Sequence, residues 1–306
     1  MNDQHIAGLV KEADPVRRLG NSPQGWTDVR AERDLARIIA DTGRRRPPYR
    51  RVVAVGAVAA LSTAVLVVQP WSGDPNSASA ATPPMLQYTV MDHRTARVQL
   101  LDFAKRVRAL PAEPPGGPVL ELKTKGWYLG ASEDGTTTID PQESVKYVKD
   151  GQIYYRSGSG WENPSTAYWP DGVSSNPRTL RKQLDNQHPG GGTFQLLNAI
   201  KDLANEANPD PGVRAAILTL LADVPGMTAD GTTVDRSGRK AISYSVMDSG
   251  GGLPTRRSFL FNPQTGVLLD TEDVLTTDRG KLKVTLPAVI DYSVFVSHSY
   301  LPTLPK

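Results

Sequence analysis

The chain has 306 residues, a formal charge of +3 and no cysteine, which excludes disulfides, thiolate zinc sites, iron–sulfur clusters and cysteine nucleophiles. The charge is uneven: up to Arg51 there are 11 Lys/Arg against 7 Asp/Glu, and beyond it 24 against 25. The larger part therefore has no overall basic excess, and no nucleic acid is expected as its partner.

Residues 1–51 contain a weak helical pattern at Ile6–Ala13 and a better one at Asp28–Ala40, separated by the turn-rich PVRRLGNSPQGW. This predicts a partly disordered tail with short helices, able to dock a cytosolic regulator or anionic lipid heads at residues 1–50. Val52–Val68 follows as an apolar run broken only by Ser62 and Thr63. At about 1.5 Å per residue it spans about 26 Å, near the lower limit for a hydrocarbon core. Extended to Trp71, it reads as a transmembrane helix over 52–71 with an interfacial tryptophan. Arg44, Arg45, Arg46, Arg50 and Arg51 crowd its first end, whereas the next basic residue beyond it is Arg94. By the positive-inside rule the N-terminus stays in the cytoplasm of a single-pass cell-membrane protein, and the C-terminal domain lies outside. The rival reading is a signal cleaved after Ala80, where Ala78-Ser79-Ala80 supplies small residues. Against it, the apolar run exceeds the usual signal core of about 7–15 residues and a very long basic region precedes it.

Residues 72–84, SGDPNSASAATPP, read as a flexible linker, and the outer domain as 85–306. A short strand is expected at Leu86–Val90, then a helix at Arg94–Leu110 with Leu100, Phe103, Ala104 and Val107 on one stripe. Strands are predicted at Val119–Leu129, Thr136–Ile139, Val145–Val148 and Gln152–Arg156, with Asp134-Gly135 and Asp150-Gly151 as hairpin turns. Helices follow at Asn176–Leu184, Thr193–Ala207 and Pro211–Asp223, the first two parted by His188-Pro-Gly-Gly-Gly. Alternation then returns at Ile242–Val246, in SFLF and VLL around the turn NPQTG, at Leu282–Leu286 and in VIDYSVFV. Strands, a helical block, then strands again predict an α+β domain: a curved antiparallel sheet, half-barrel-like, covered by helices and preceded by the transmembrane helix.

PDPGVRAAILTLLADVPGM, DRSGRKAISYSV and SFLFNPQTGVLL carry a family likeness. Arg214, Ala215, Ala216, Pro225, Gly226, Asp235, Gly238, Arg239, Phe261, Pro263, Thr265, Gly266, Leu268 and Leu269 fill its pattern, with Asn262 where aspartate is expected. The chain resembles a group of uncharacterised actinobacterial single-pass membrane proteins, many encoded beside extracytoplasmic-function sigma factors. The resemblance implies an outer domain similar in outline to lipoprotein carriers and sigma-regulator sensors, and brings no catalytic residues with it. The motif positions themselves read as turn and packing residues.

No H-E-x-x-H, G-x-S-x-G, Walker or G-x-G-x-x-G motif is present. The four histidines stand alone, the Asp-Gly sites at 134, 230 and 235–238 read as turns rather than calcium loops, and Asp270, Glu272 and Asp273 read as a solvated strand rim. No enzyme, metal or cofactor is expected. Eight of the twenty aromatics fall between Trp127 and Trp169. Trp127, Tyr147, Tyr155, Trp161 and Trp169 are the candidate lining of an apolar pocket for a greasy ligand. Two functions follow: an extracytoplasmic sensing or binding domain coupled to a sigma factor, or a tethered lipid- or lipoprotein-binding module of the cell envelope.

Overall fold

The structure, a computed structural model, describes residues 80–90, 92–113, 116–131, 136–157, 160–169 and 172–305. The predicted tail, the apolar run, Arg44 to Arg51, Trp71 and the Asp134-Gly135 turn lie outside them. Among the described residues no helix is long and apolar enough to cross a membrane.

Among the described residues, four helices and ten strands follow in an α+β order. Helix α1 (Ala96–Arg108) precedes strands β1 (Val119–Ala131), β2 (Thr137–Lys149), β3 (Gln152–Ser157), β4 (Gly160–Trp161) and β5 (Ser165–Thr166). Helices α2 (Pro177–Gln187), α3 (Gly192–Glu206) and α4 (Pro211–Ala222) form the middle block. Strands β6 (Thr228–Val234), β7 (Lys240–Asp248), β8 (Thr255–Phe261), β9 (Leu268–Leu275) and β10 (Ala288–Leu301) complete the chain. All pairs are antiparallel, in the order β4-β3-β2-β1-β10-β9-β8-β7-β6, with β5 on β3. The last strand thus joins the two groups by lying between β1 and β9.

Local chemistry sets the helix starts. Asn176 Oδ1 accepts the N–H groups of Arg178 and Thr179, and Asp210 Oδ1 accepts that of Val213 at 2.8 Å; each cap is followed by proline at the first helical position. The predicted stripe of α1 is buried, and Phe103 meets Phe261 edge-on at 6.5 Å. All four helices pack on one sheet face, against Tyr244 and Val246 of β7, Phe259 and Phe261 of β8, Leu268 of β9 and Phe295 of β10. Helix α4 is buried on more than one face: Arg214, Ala215 and Leu218 are buried as well as Val213, Ala216, Ile217 and Leu221, because α1 and α2 flank it.

Four expectations are corrected. The segments 136–139 and 145–148 are one strand running through Pro141. Proline fits there because β3 pairs only with Lys146–Lys149, so at Pro141 no third strand needs its missing N–H. Asp230-Gly231 is a bulge inside β6 rather than a loop turn, with Gly231 at φ +110°. The alternating Leu282, Val284 and Leu286 form no strand; Leu282 and Val284 plug a satellite core with Leu129, Leu275 and Ala288. Leu86–Val90 makes a single bridge, Thr89 to Thr232, because it lies across the sheet instead of extending it.

The NPQTG turn keeps its shape through Asn262, whose Oδ1 accepts from the N–H groups of Gln264 and Thr265 as an aspartate would. Gly266 closes it at φ +70°, and a Cβ there would stand 2.6 Å from Val107 Cγ2 in α1. Gly266→Ala is expected to lower stability by about 1–3 kcal/mol. Thermal unfolding reads it, and an unchanged midpoint would refute the packing role.

Candidate functional site

The sheet face away from the helices carries the polar surprises. Cross-strand partners share a face, so the pairs Ser243–Leu260, Ser245–Ser258, Ser258–Glu272, Leu260–Asp270 and Tyr292–Glu272 place these side chains together. Asp270 and Glu272 are fully buried, which overturns the solvated-rim expectation. Strand β9 is central, between β8 and β10, and this face is covered by the chain segment 80–90. Asp273, on the helix side, is tied to Arg257 at 3.2 Å.

The covering segment is a strap. Ala80 N–H donates to Lys283 O at 2.7 Å, and Thr89 and Thr232 exchange backbone bonds of 2.8 and 2.9 Å. Thr233 Oγ1 donates to Gln87 O at 2.7 Å. Leu86 packs on Ala241, Leu260 and Leu269, and Tyr88 lies under Arg256, 5.5 Å from guanidinium carbon to ring centre. Gly231 permits the bridge, since a Cβ there would stand 2.3 Å from Thr89 O. The last residues of the predicted linker, 80–84, are thus already in contact with the domain.

Arg236 joins strap, acids and aromatic ring. Its Nε donates to Glu272 Oε2 at 2.9 Å, its Nη2 donates to the same oxygen and, at 3.1 Å, to Pro84 O, and its backbone N–H points at Asp270 Oδ2. The guanidinium stands 4.6 Å over the Tyr292 ring, which stacks in turn on Trp127. Asp230 accepts the hydroxyls of Ser243 and Ser245, both at 2.7 Å. Asp270 Oδ1, Glu272 Oε1 and Ser258 Oγ are buried without a hydrogen-bond partner among the described residues. Burial pushes Asp270 well above the ordinary carboxylate range, with the neighbouring Glu272 adding to the effect. Glu272 is raised by burial too, against the pull of Arg236.

Between the strap and this face runs a groove of about 900 Å³, the size of a site for a small organic ligand. Its walls are mainly apolar, with Pro84, Leu86, Val234 and Pro263 among them, and Arg236 and Lys240 supply the charge. A second cleft, about 460 Å³, opens where Phe194, Leu253 and Leu282 meet. There Arg257 is held by Asn198 at 2.7 Å and Asp273, and Asp248 and Asp273 line the cleft beside it, so its charge is compensated.

The aromatic residues singled out in the sequence are not gathered into one pocket. Tyr147 and Trp161 meet edge-on at 5.4 Å, with Tyr154 on the same side. Tyr155, adjacent to Tyr154 on β3, takes the opposite face by alternation, and Trp169 packs against the main core with the helices. Trp127 stands apart on Tyr292, next to Arg236. The space between α3, α4 and the sheet is packed shut: the cavity lined by Ile200, Ala204, Ile217, Phe261 and His298 is about 20 Å³, enough for one water at most. The groove residues were missed because Arg236 and Lys240 belong to a hairpin that reads as a turn; the spaced apolar pair Leu86 and Tyr88 was the available signal.

No protein-family model and no curated protein matches the chain. Among solved structures it is weakly similar to the crystal structure of LprF from Mycobacterium bovis, with a TM-score of 0.29 and 10% identity over 69% of this chain and 96% of that one.

Proposed function

We propose that this is a single-pass membrane protein of the cell envelope whose extracytoplasmic domain, residues 85–306, binds an amphiphile, a lipid or a lipid-modified chain, and carries out no reaction on it. The observation that carries the reading is the groove beneath the strap: ligand-sized, mostly apolar, and charged at the Arg236 side. Its wall is the segment that follows the apolar run 52–71 and the linker, so a tether and a binding site share one piece of chain. The resemblance to membrane proteins encoded beside sigma factors adds a signalling variant, in which occupancy reaches a cytosolic regulator through the tail at residues 1–50. The half-barrel outline of that family supports the carrier-like reading in the same way.

The full chain, purified from membranes in neutral detergent, is expected to resist carbonate extraction and to release a stoichiometric amphiphile into organic solvent, identified by mass spectrometry. Val234 lines the groove and is 53% exposed, so Val234→Trp should fill the site without disturbing the core. It is expected to reduce the retained amphiphile several-fold at unchanged circular dichroism. A chain that washes off in carbonate, or retention indifferent to the tryptophan, overturns the proposal.

A further inference from the structure

The groove is one-sided in charge. Among the described residues no Asp or Glu lines it, and its ionised side chains are Arg236 and Lys240. The carboxylates beside it are buried rather than presented to the groove: Asp235 faces Arg239 at 2.6 Å, Glu272 holds Arg236, and Asp270 lies beneath the Arg236 backbone N–H. Lys240 is exposed and forms no ion pair among the described residues. Arg236 spends Nε and Nη2 on Glu272 and Pro84, which leaves Nη1 free of hydrogen bonds among the described residues. Glu272 on one side and the Tyr292 ring on the other fix the guanidinium plane, so the remaining donor is oriented before any ligand arrives.

We infer that this groove takes the anionic headgroup of a membrane lipid, its phosphate or carboxylate oxygens accepting from Arg236 Nη1 and Lys240 Nζ while the chain lies along Pro84, Leu86 and Val234. The inference rests on the amphiphile-binding reading and adds its charge class. Charge-assisted bonds to an oxyanion are the stronger kind, and a headgroup that carries its own cation would set that cation beside Lys240. A membrane source follows from chain length: the nine steps from Trp71 to Ala80 span at most about 30 Å when extended, so the strap stays within that reach of an anchor at 52–71.

Short-chain phosphatidylglycerol and phosphatidylcholine, each below its micelle concentration, are titrated calorimetrically into the full chain in neutral detergent. Phosphatidylglycerol is expected to bind about tenfold more tightly, because both lipids offer the phosphate but the choline ammonium would stand beside Lys240. Lys240→Glu is expected to abolish the preference and Lys240→Arg to keep it. In nanodiscs, acetylation of Lys240 is expected to be slower with phosphatidylglycerol than with phosphatidylcholine alone. Equal affinities, or a preference that survives Lys240→Glu, overturn the anionic assignment while leaving amphiphile binding intact. Equal acetylation despite a preference for the monomer overturns the membrane source. Binding of neither lipid removes the amphiphile reading itself.

Discussion

Arg239→Ala is expected to cost about 3 kcal/mol of folding stability, the low end of the range for stripping one partner from a buried ion pair, because the carboxylate left behind is fully buried while the arginine is half-buried. Asp235 is its partner: the side chain is fully buried, Oδ1 accepts the N–H groups of Ser237 and Arg239 at 2.9 and 2.8 Å, and Oδ2 accepts Arg239 Nε at 2.6 Å. The rest of the guanidinium reaches further. Nη1 donates to Phe295 O at 2.8 Å and Val296 O at 3.1 Å, and Nη2 to Leu269 O at 2.9 Å. These carbonyls sit where the ladder slips, since the β1–β10 register skips Val296 and the β8–β9 register skips Leu269. One side chain therefore answers for two irregularities of the sheet. Arg239→Lys keeps the charge but replaces a planar fork with a single ammonium, and should recover only part of the loss. Denaturant unfolding at neutral pH measures both variants, and Asp235→Ala combined with Arg239→Ala should cost clearly less than the two single losses added. A loss below about 1 kcal/mol for Arg239→Ala would leave the pair no more than an ordinary surface bridge.

This arginine also marks where sequence reading stops. Asp235, Gly238 and Arg239 are legible as a hairpin turn, because an aspartate capping N–H groups two and four residues ahead is a local pattern. That the same arginine closes gaps in β9 and β10 depends on contacts 30 and 56 residues away, which no window of sequence contains. The helices were legible to within three residues at either end, since Asn176-Pro177 and Asp210-Pro211 declare their own starts and the α1 stripe declares its face. Asp150-Gly151 was legible too, both residues having the positive φ that a two-residue hairpin turn requires.

The acids of β9 were not. Alternating Asp270 and Glu272 look like a strand edge facing water, and only the strap and Arg236 make them a buried face. The aromatic count failed for a related reason: richness in tyrosine and tryptophan says nothing about phase, and alternation put Tyr154 and Tyr155 on opposite sides. The first half of the strap, 80–84, resembles a linker and the second, Leu86–Val90, a short strand, because a segment crossing a sheet needs no periodicity of its own.

Stability that declines as pH rises from about 4 toward neutrality is the second large effect expected. Asp270, Glu272 and Asp273 are all raised above their ordinary values, burial being the first cause in each. A carboxyl raised in the folded state binds protons there that the unfolded chain has released. Its contribution is complete below the ordinary carboxylate value, about 4, and is lost as pH climbs through the folded value. Each such group adds a slope of at most about 1.4 kcal/mol per pH unit. His298 works the other way: burial lowers it, so its contribution is present above about 6.5 and is lost as pH falls through the folded value. Asp92 is half-buried and lowered by its hydrogen bond from Arg94, so it weakens the fold only in stronger acid. Glu272 and Asp273 are each hydrogen-bonded by an arginine side chain that pulls them back down, whereas Asp270 feels the Arg236 charge but is bonded only by its backbone N–H. Asp270 is therefore the group to remove. Asp270→Asn deletes its titration and leaves His298 and the others in place. The variant should match the parent near the acid end of the range and exceed its stability progressively above it, by urea unfolding across pH. Parallel profiles would mean that Asp270 ionises in the fold as easily as in water. The strap would then close over an acid that costs it nothing to cover.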